Sequence, residues 1–448
     1  MAGDLINGEI PEHWEFTTLG DVCKRGGGNI QTGPFGSQLH ASDYVPIGVP
    51  SIMPTNIGEN RIVEDGIVRI TEDDANRLGQ HRLRAGDIVY SRRGDVEKRA
   101  LIREREEGWL CGTGCLKVRL GSGVVDPLFA SLFLGHPAIR EWIVRHAVGA
   151  TMPNLNTSIM SAVPFALPPL AEQKAIAAVL GALDDKIELN RRINATLEAM
   201  ARALFQSWFV DFDPVRAKLD GRPPANLDPA TATAAIFPDS FQDSPLGPIP
   251  RGWLAKPLPE VVEVNPRRTL KAGTIAPYLD MKNLPTQGHS ADEVIHREFT
   301  SGTKFQNGDT LLARITPCLE NGKTGYVDFL DNDQVGWGST EYIIFAPKPP
   351  LPPQFGYLLA RSDALRTHAI HNMTGTSGRQ RVPSDCFNSF LLAVPPSDIA
   401  VRFGELTGPL MTKIKANSEQ IRTLATLRDT LLPKLLSGEL STYNHPSQ

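Results

Sequence analysis

KIELNRRINATLEAM at 186–200 and KIKANSEQIRTLATL at 413–427 carry one helical phrase in fixed register. Lys186 and Ile187 match Lys413 and Ile414, Asn190 matches Asn417, Leu197 matches Leu424, and further on Leu204 falls on Leu431. Around the first copy, Leu180, Leu183, Ile187, Asn190, Asn194, Leu197, Ala201, Leu204 and Trp208 are spaced alternately by three and four residues. Around the second, Leu410, Ile414, Asn417, Ile421, Leu424, Arg428, Leu431 and Leu435 follow the same rhythm. This is an a/d seam sustained over about four heptads, the period of a coiled coil. A stripe of two or three turns would serve to pack each helix on its own domain. Four heptads in both copies predict that the two helices pair with each other, through Leu183, Ile187, Asn190, Leu197 and Leu204 on one side and Ile414, Asn417, Ile421, Leu424 and Leu431 on the other. A seam Asn costs stability but fixes register when it finds a polar partner. Antiparallel pairing would place a globular unit at each end of a rod of roughly 50 Å, with helix length as a ruler.

The repeat extends beyond the helices. PEHWEFTTLGDV (11–22) and PRGWLAKPLPEV (250–261) share P-x-x-W-x-x-x-x-L-x-x-V. LRAGDIVYSRRGD (83–95) and FQNGDTLLARITP (305–317) each set an Arg, Arg92 or Arg314, at one fixed distance after Gly-Asp. VGATMPNLN (148–156) answers TGTSGRQRV (374–382), and FALPP (165–169) answers LAVPP (392–396), just ahead of each long helix. A repeat of this length is a domain duplication rather than a solenoid. Each copy mixes short β-branched runs, turn signals and short helical patches, so the fold class is α+β. Two tandem globular domains in pseudo-repeat are expected, separated by two long helices that pair as an antiparallel coiled coil. The expected boundaries are a first domain at 1–169, a central helix at 170–212, a Pro-rich connector at 213–249, a second domain at 250–397, a C-terminal helix at 398–438 and a tail at 439–448. The connector is dense in Pro and small residues and reads as irregular.

Composition bounds the function. With 448 residues, two to four domains are expected. Hydrophobic content of 41% and charged content of 21% suit a soluble globular protein. No apolar run reaches the length of a membrane span, and MAGDLINGEI lacks the features of a signal peptide, so a cytoplasmic location is expected. The five cysteines are odd in number and scattered, which fits a reducing compartment. Cys111 and Cys115 have no second Cys/His pair at zinc spacing, and no metal site is expected. A net charge of −4 argues mildly against a nucleic-acid binder, but charge is uneven: His81 to Arg105 holds eight Lys/Arg against four acids.

Catalytic motifs are missing. The sequence has no phosphate loop, no G-x-G-x-x-G, no H-E-x-x-H and no G-x-S-x-G. The nearest approach to an amino-methyltransferase motif is VNPRR (264–268), with Arg267 and Arg268 in the wrong places. Asp95, Glu97 and Lys98 make a loose nuclease-like D-x-E-K, but the second copy answers with one acid in TPCLENGK (316–323), so the cluster reads as solvated surface. The chain is not expected to be an enzyme.

A duplicated plan of this kind resembles the specificity subunit of type I restriction–modification enzymes. The carrying residues are the P-x-x-W starts at Pro11/Trp14 and Pro250/Trp253, TGPFGSQLHASDY (32–44), RAGDIVYSRRGD (84–95), the long LPPLAEQKAIAAVLGALDDKIELN run from 167, and LLPKLLSGEL (431–440). The second helix departs from the pattern, beginning in PPSDIAVRF (395–403) without a counterpart of Glu172-Gln173. The resemblance implies that each domain is a target recognition domain reading one half of a split, asymmetric sequence in double-stranded DNA. It implies that the helices set the spacer and dock two modification (methyltransferase) subunits, which use S-adenosylmethionine to methylate adenine. Restriction subunits, with ATP and magnesium, would join to cleave; no cofactor is expected on this chain. The alternative is a structural coiled-coil adaptor without sequence-specific DNA binding.

Base edges are read by Arg or Lys at guanine and Asn or Gln at adenine. In the first copy this makes Ser37 and Gln38, then Arg92, Arg93 and Lys98, then Asn154 and Asn156 the candidate DNA contacts. In the second they are Lys282 and Asn283, Arg314, Asn321 and Lys323, and Arg379, Gln380 and Arg381. Arg92 and Arg314 stand out because they follow the same motif. Some contacts would go to phosphates and position without specifying.

Overall fold

The computed structural model describes residues 11–149, 151–221, 232–291, 293–331, 333–376 and 378–440. Internal contacts divide the chain into two units, Met1–Ile187 with Thr423–Gln448, and Glu188–Arg422.

In the first unit, strands Gly27–Thr32, Cys115–Gly121, Ile88–Ser91 and Arg99–Leu101 form an antiparallel sheet in that spatial order. Ile88, Val89, Tyr90 and Ser91 are all buried, so this strand is an unbroken run covered on both faces rather than an alternating one. A second sheet orders Tyr44–Val45, Val68–Ile70, Val49–Ile52 and Leu110–Cys111, the last pair running parallel. Strand Glu15–Thr18 pairs with Pro164–Leu167. Helix Pro127–Phe133 starts where the Asp126 carboxylate accepts from Phe129 N at 2.9 Å, which satisfies a free donor of its first turn. Its Phe129 and Phe133 meet Phe165, and the same core takes in Ile176 and Leu180 of the central helix and Leu435 and Leu436 of the C-terminal one.

The second unit repeats the plan. Val262–Val264, Tyr342–Pro347, Thr310–Ala313 and Thr324–Tyr326 form the matching antiparallel sheet. Its companion sheet orders Ile295–Glu298, Ile275–Leu279, Gly336–Gly338 and Thr303–Phe305, again with one parallel pair, Ile275–Leu279 beside Gly336–Gly338. Leu254–Pro257 pairs with Leu391–Val394, as the equivalent ribbon does in the first unit. The core gathers Phe205, Trp208 and Phe209 of the central helix with Trp253, Phe355 and Phe403. The mixed α+β class and the duplication are therefore as the sequence leads one to expect.

Two 40-residue helices, Leu170–Phe209 and Ser397–Leu436, carry the heptad pattern. In the stretch that reads as a connector, helix Asp213–Leu219 is present, and Phe212, Val215 and Phe237 are buried in the second unit's core. This order has a physical cause: the connector's few large apolar side chains find a pocket of aromatic rings. Residues 222–231 of the connector and 441–448 of the tail lie outside the described residues. No helix among the described residues is long and apolar enough to cross a membrane.

Candidate nucleic-acid interface

The Gly-Asp phrase is a turn that launches a strand. Gly86 has φ 88° and Gly308 φ 90°, left-handed values at which glycine carries no steric penalty. Asp87 folds back to accept from Arg84 N at 2.9 Å and is clamped by Arg119, whose Nε and Nη2 donate at 2.8 and 2.6 Å. Asp309 accepts from Gln306 N at 2.8 Å and from Arg268 Nη2 at 2.8 Å. The clamping arginines come from different places in the two copies, yet make the same fork on the same carboxylate. Burial pushes the Asp309 carboxyl above the usual range, with Arg268 opposing that shift. These aspartates hold the strands Ile88–Ser91 and Thr310–Ala313, whose far ends deliver Arg92 and Arg314.

Three loops meet at Arg92. Leu155 N donates to Arg92 O at 2.9 Å, Arg92 Nε donates to Leu155 O at 3.2 Å, and the Arg92 guanidinium lies 5.5 Å from the centre of the Phe35 ring. Arg93 and Asn154 form an antiparallel bridge, and Gly94 N donates to Pro153 O at 3.1 Å. The structure thus brings together Arg92, Arg93, Asn154 and the turn holding Ser37 and Gln38. Ser37 and Arg93 are exposed. Gln38 is occupied: its Oε1 accepts from Phe35 N at 3.1 Å while its own N donates to Phe35 O at 2.8 Å. Asn156 caps helix Thr157–Ser161 by accepting from Ile159 N at 2.8 Å. Lys98 pairs with Asp95 at 3.0 Å, and Glu97 with Arg140 at 2.8 Å.

The second domain repeats the junction. Val382 N donates to Arg314 O at 2.8 Å, the counterpart of the Leu155–Arg92 bond. Thr316 N donates to Gln380 O at 3.0 Å, and Ile315 bridges Arg381 as Arg93 bridges Asn154. Arg314, Gln380 and Arg381 therefore share one place, with exposed Arg379 at the loop's tip. Arg381 is committed to a fork with Glu341, at 2.8 to 3.0 Å, which raises its pKa. Arg314 is half-buried, and its Nε has no hydrogen-bond partner among the described residues. Lys282, Asn283 and Lys323 form a separate group: Lys323 Nζ donates to Met281 O at 2.7 Å and Lys282 O at 2.9 Å, and Asn283 Nδ2 donates to Glu293 O at 3.3 Å. Exposed Asn321 lines a polar cavity with Arg202, Arg361 and Arg366.

The helix seam shows its direction through its polar side chains. In the second unit Asn190 Nδ2 donates to Gln420 Oε1 at 2.8 Å, and Asn417 Nδ2 donates to Asn194 Oδ1 at 2.8 Å. Rising numbers in one helix meet falling numbers in the other, so this stretch runs antiparallel. In the first unit Arg428 of the C-terminal helix meets Asp184 of the central helix at 2.8 Å. Burial lowers the pKa of Arg428, but the hydrogen bond and charge of Asp184 outweigh that and hold it above the ordinary arginine value. Ile187, Asn190, Ile414 and Asn417 are buried, whereas Leu183, Leu197, Leu204, Ile421, Leu424 and Leu431 are half-buried.

Sequence reasoning passed over several members of this arrangement. Asp87 and Asp309 counted only as halves of the Gly-Asp motif, without a role of their own; an Asp held at one offset in both copies was the available signal. Phe35 sat inside a quoted motif, but an aromatic does not fit the donor and acceptor rules used to choose candidates. Gln420 as the partner of Asn190 had no signal at all, since it depends on antiparallel register.

Comparison with known proteins accords with this geometry. A family model described as the type I restriction modification DNA specificity domain matches residues 11–199. The type I restriction enzyme HindI specificity subunit of Haemophilus influenzae is 24% identical over 406 residues, covering 80% of this chain and 87% of that protein. The MjaIX specificity subunit of Methanocaldococcus jannaschii is 24% identical over 448 residues, covering 97% of this chain and 95% of its own. The crystal structure of a type I restriction–modification system S subunit from M. genitalium shares the fold, with a TM-score of 0.56 at 16% identity over 94% of this chain and 96% of that one. These matches bear out the resemblance read from the motifs: the chain is similar to specificity subunits of type I restriction–modification enzymes.

Proposed function

We propose that this chain is the DNA-specificity subunit of a type I restriction–modification system and reads an asymmetric, two-part target, one half-site per domain. The observation that carries this reading is the junction found twice. In each domain a strand-end arginine is tied by one backbone bond to a late loop, Leu155 to Arg92 and Val382 to Arg314, and that loop presents Asn154 in one copy and Arg379 and Gln380 in the other. These side chains suit base edges: amides pair with adenine and guanidinium groups with guanine. Different side chains on one scaffold give different half-sites, hence a target that is not a palindrome. The helices would fix the spacer and dock two modification subunits. Those partners would supply S-adenosylmethionine and the adenine methylation, while restriction subunits would bring ATP and magnesium; catalysis rests with them. The specificity-domain match disfavours a purely structural adaptor.

The test is DNA retention by the complex with its modification subunits. Affinity should fall steeply as salt rises, because phosphate contacts release counterions, and one duplex should be retained over scrambled competitors. Retention that ignores both salt and sequence would refute the reading.

A further inference from the structure

Each domain holds the same cavity, and the two copies differ in charge. The first measures about 350 Å³ and the second about 530 Å³. The Gly-Asp turns fix the correspondence, since Pro127 faces Gly86 and Pro353 faces Gly308, each proline opening its helix. Eight positions on from these prolines stand Gly135 and Arg361, and thirteen on stand Arg140 and Arg366. Strand pairing sets Arg99 opposite Tyr90 and Thr324 opposite Leu312, and Tyr90 and Leu312 each lie four residues after their glycine. The helical repeat matches Asp429 to Arg202. Each cavity receives one guanidinium at this spot, but from opposite walls. Arg99 comes from its strand and lies over Gly135, where any side chain would collide with it. Arg361 comes from the end of helix Pro353–Ala360 and donates to Thr324 O at 2.8 Å.

The first cavity is neutralised from within. Its arginines, Arg99, Arg140 and Arg428, face Glu59, Asp184 and Asp429. Arg428 meets all three carboxylates at 2.8 to 3.4 Å, and Arg140 pairs with Glu97 at 2.8 Å. In the second, Arg202, Arg361 and Arg366 face one lining carboxylate among the described residues, Asp363. The Nη atoms of Arg361 donate to the carbonyls of Thr286, Gly288, Gly322 and Thr324 at 2.5 to 2.8 Å, which holds the charge in place without cancelling it. Arg366 donates to Glu320 O, and its Nε is buried without a hydrogen-bond partner among the described residues. A Cβ on Gly322 would lie 3.8 Å from Nη1 of both Arg361 and Arg366. Like charges this near repel unless an anion joins them. Glu198 stands 3.7 Å from Arg202, but it accepts from the Tyr357 hydroxyl at 2.7 Å, which also takes Arg361 Nε at 3.2 Å.

Strand register places this cavity beside the junction at Arg314. Leu312 pairs with Thr324, and Ala313 N donates to Lys323 O at 3.1 Å. The 320–324 turn on the cavity wall therefore lies at the strand end that delivers Arg314. We infer that the second domain's cavity clamps a phosphate of the DNA backbone beside its half-site, with Arg202, Arg366 and exposed Asn321 donating to the phosphate oxygens. This rests on the DNA-reading function proposed above. Arg361 is a positioning residue, its donors already spent on the walls. Guanidinium forks match phosphate oxygens, and such contacts position a protein without specifying sequence. The first domain's cavity, closed by its own carboxylates, lacks this clamp.

The experiment measures DNA retention against salt for a double variant, Arg202→Ala with Arg366→Ala, and for Arg140→Ala, each in complex with its modification subunits. Loss of one phosphate contact should cut the slope of log affinity against log salt by about 1. The double variant should show that cut on every duplex with both half-site preferences kept, and those preferences are its folding control. Arg366→Lys should keep part of the slope, since it keeps the charge. Arg140→Ala, the first-domain counterpart, should leave the slope unchanged; an equal cut there would overturn the difference between the cavities. Discrimination lost at one half-site alone would make these arginines base readers and overturn the inference. An unchanged slope in the double variant would overturn it too. If calorimetry then shows inorganic phosphate bound by the unaltered complex and not by the double variant, the cavity takes a free anion instead. If the unaltered complex shows neither salt dependence nor a preferred two-part duplex, the DNA-reading function itself fails.

Discussion

Asp87 touches no candidate base contact directly, yet the position of Arg92 depends on it. Its carboxylate accepts from Arg84 N and from two nitrogens of Arg119 while only 2% exposed. Asp87→Ala would take the carboxylate from the Arg119 guanidinium and leave it only Arg82 O, a loss of about 2–4 kcal/mol. Thermal or denaturant unfolding should show that loss, and a change within a few tenths of a kcal/mol would mean the fork is dispensable. Residue type and exposure pattern were legible in the sequence at this scale, so candidates such as Arg93, Asn154 and Arg379 could be named. What could not be read was whether a side chain's hydrogen-bonding groups are already engaged. Gln38 Oε1 accepts from Phe35 N, Lys323 donates to the carbonyls of Met281 and Lys282, and Arg381 donates to Glu341. Each of these bonds joins residues whose meeting depends on the folded loop, and composition carries no trace of it. Arg381→Ala should loosen the 374–382 loop. We expect faster hydrogen exchange there than in the intact chain, with the 148–156 loop unchanged.

At the scale of elements, the long helices were the most legible part, because a heptad is a local periodicity that survives without knowledge of its partner. Their apolar positions turned out to serve two tasks. Ile176 and Leu180, or Phe205 and Trp208, are absorbed into the core of their unit, and the polar side chains mark the pairing between helices. The short strands were less legible, since elements of two to four residues such as Tyr44–Val45 and Leu110–Cys111 are too brief to show a period. The Asn194–Asn417 bond gives a clear expectation. Asn417→Ala removes the donor to Asn194 Oδ1, while Asn194 Nδ2 keeps Ser418, and should cost about 1–2 kcal/mol in unfolding measurements. Replacing both with Leu should recover or exceed the original stability while weakening the specification of register. A double variant no better than the single would show that the pair does not act as a unit.

For the whole molecule, the proposed role of the helices is to fix the spacer between half-sites. Adding about four residues within 186–205, matched by an equal insertion in the paired stretch of the C-terminal helix, adds roughly 6 Å of helix. At about 3.4 Å per base pair, the accepted spacer should grow by about two base pairs, with both half-sites unchanged. An insertion in one helix alone should destabilise the seam, since Asn194 and Asn417 would no longer face each other. Duplication made this organisation visible from the sequence, through phrases matched over more than half the chain; the target bases were not visible, because no fixed docking geometry links a loop residue to a base. The most direct test of the central claim is a genome-wide map of methylated adenines laid down by this chain with its modification subunits and S-adenosylmethionine. The account predicts one consensus of two unlike half-sites separated by a fixed unread spacer. A single contiguous or palindromic consensus, or methylation without any consensus, would contradict it.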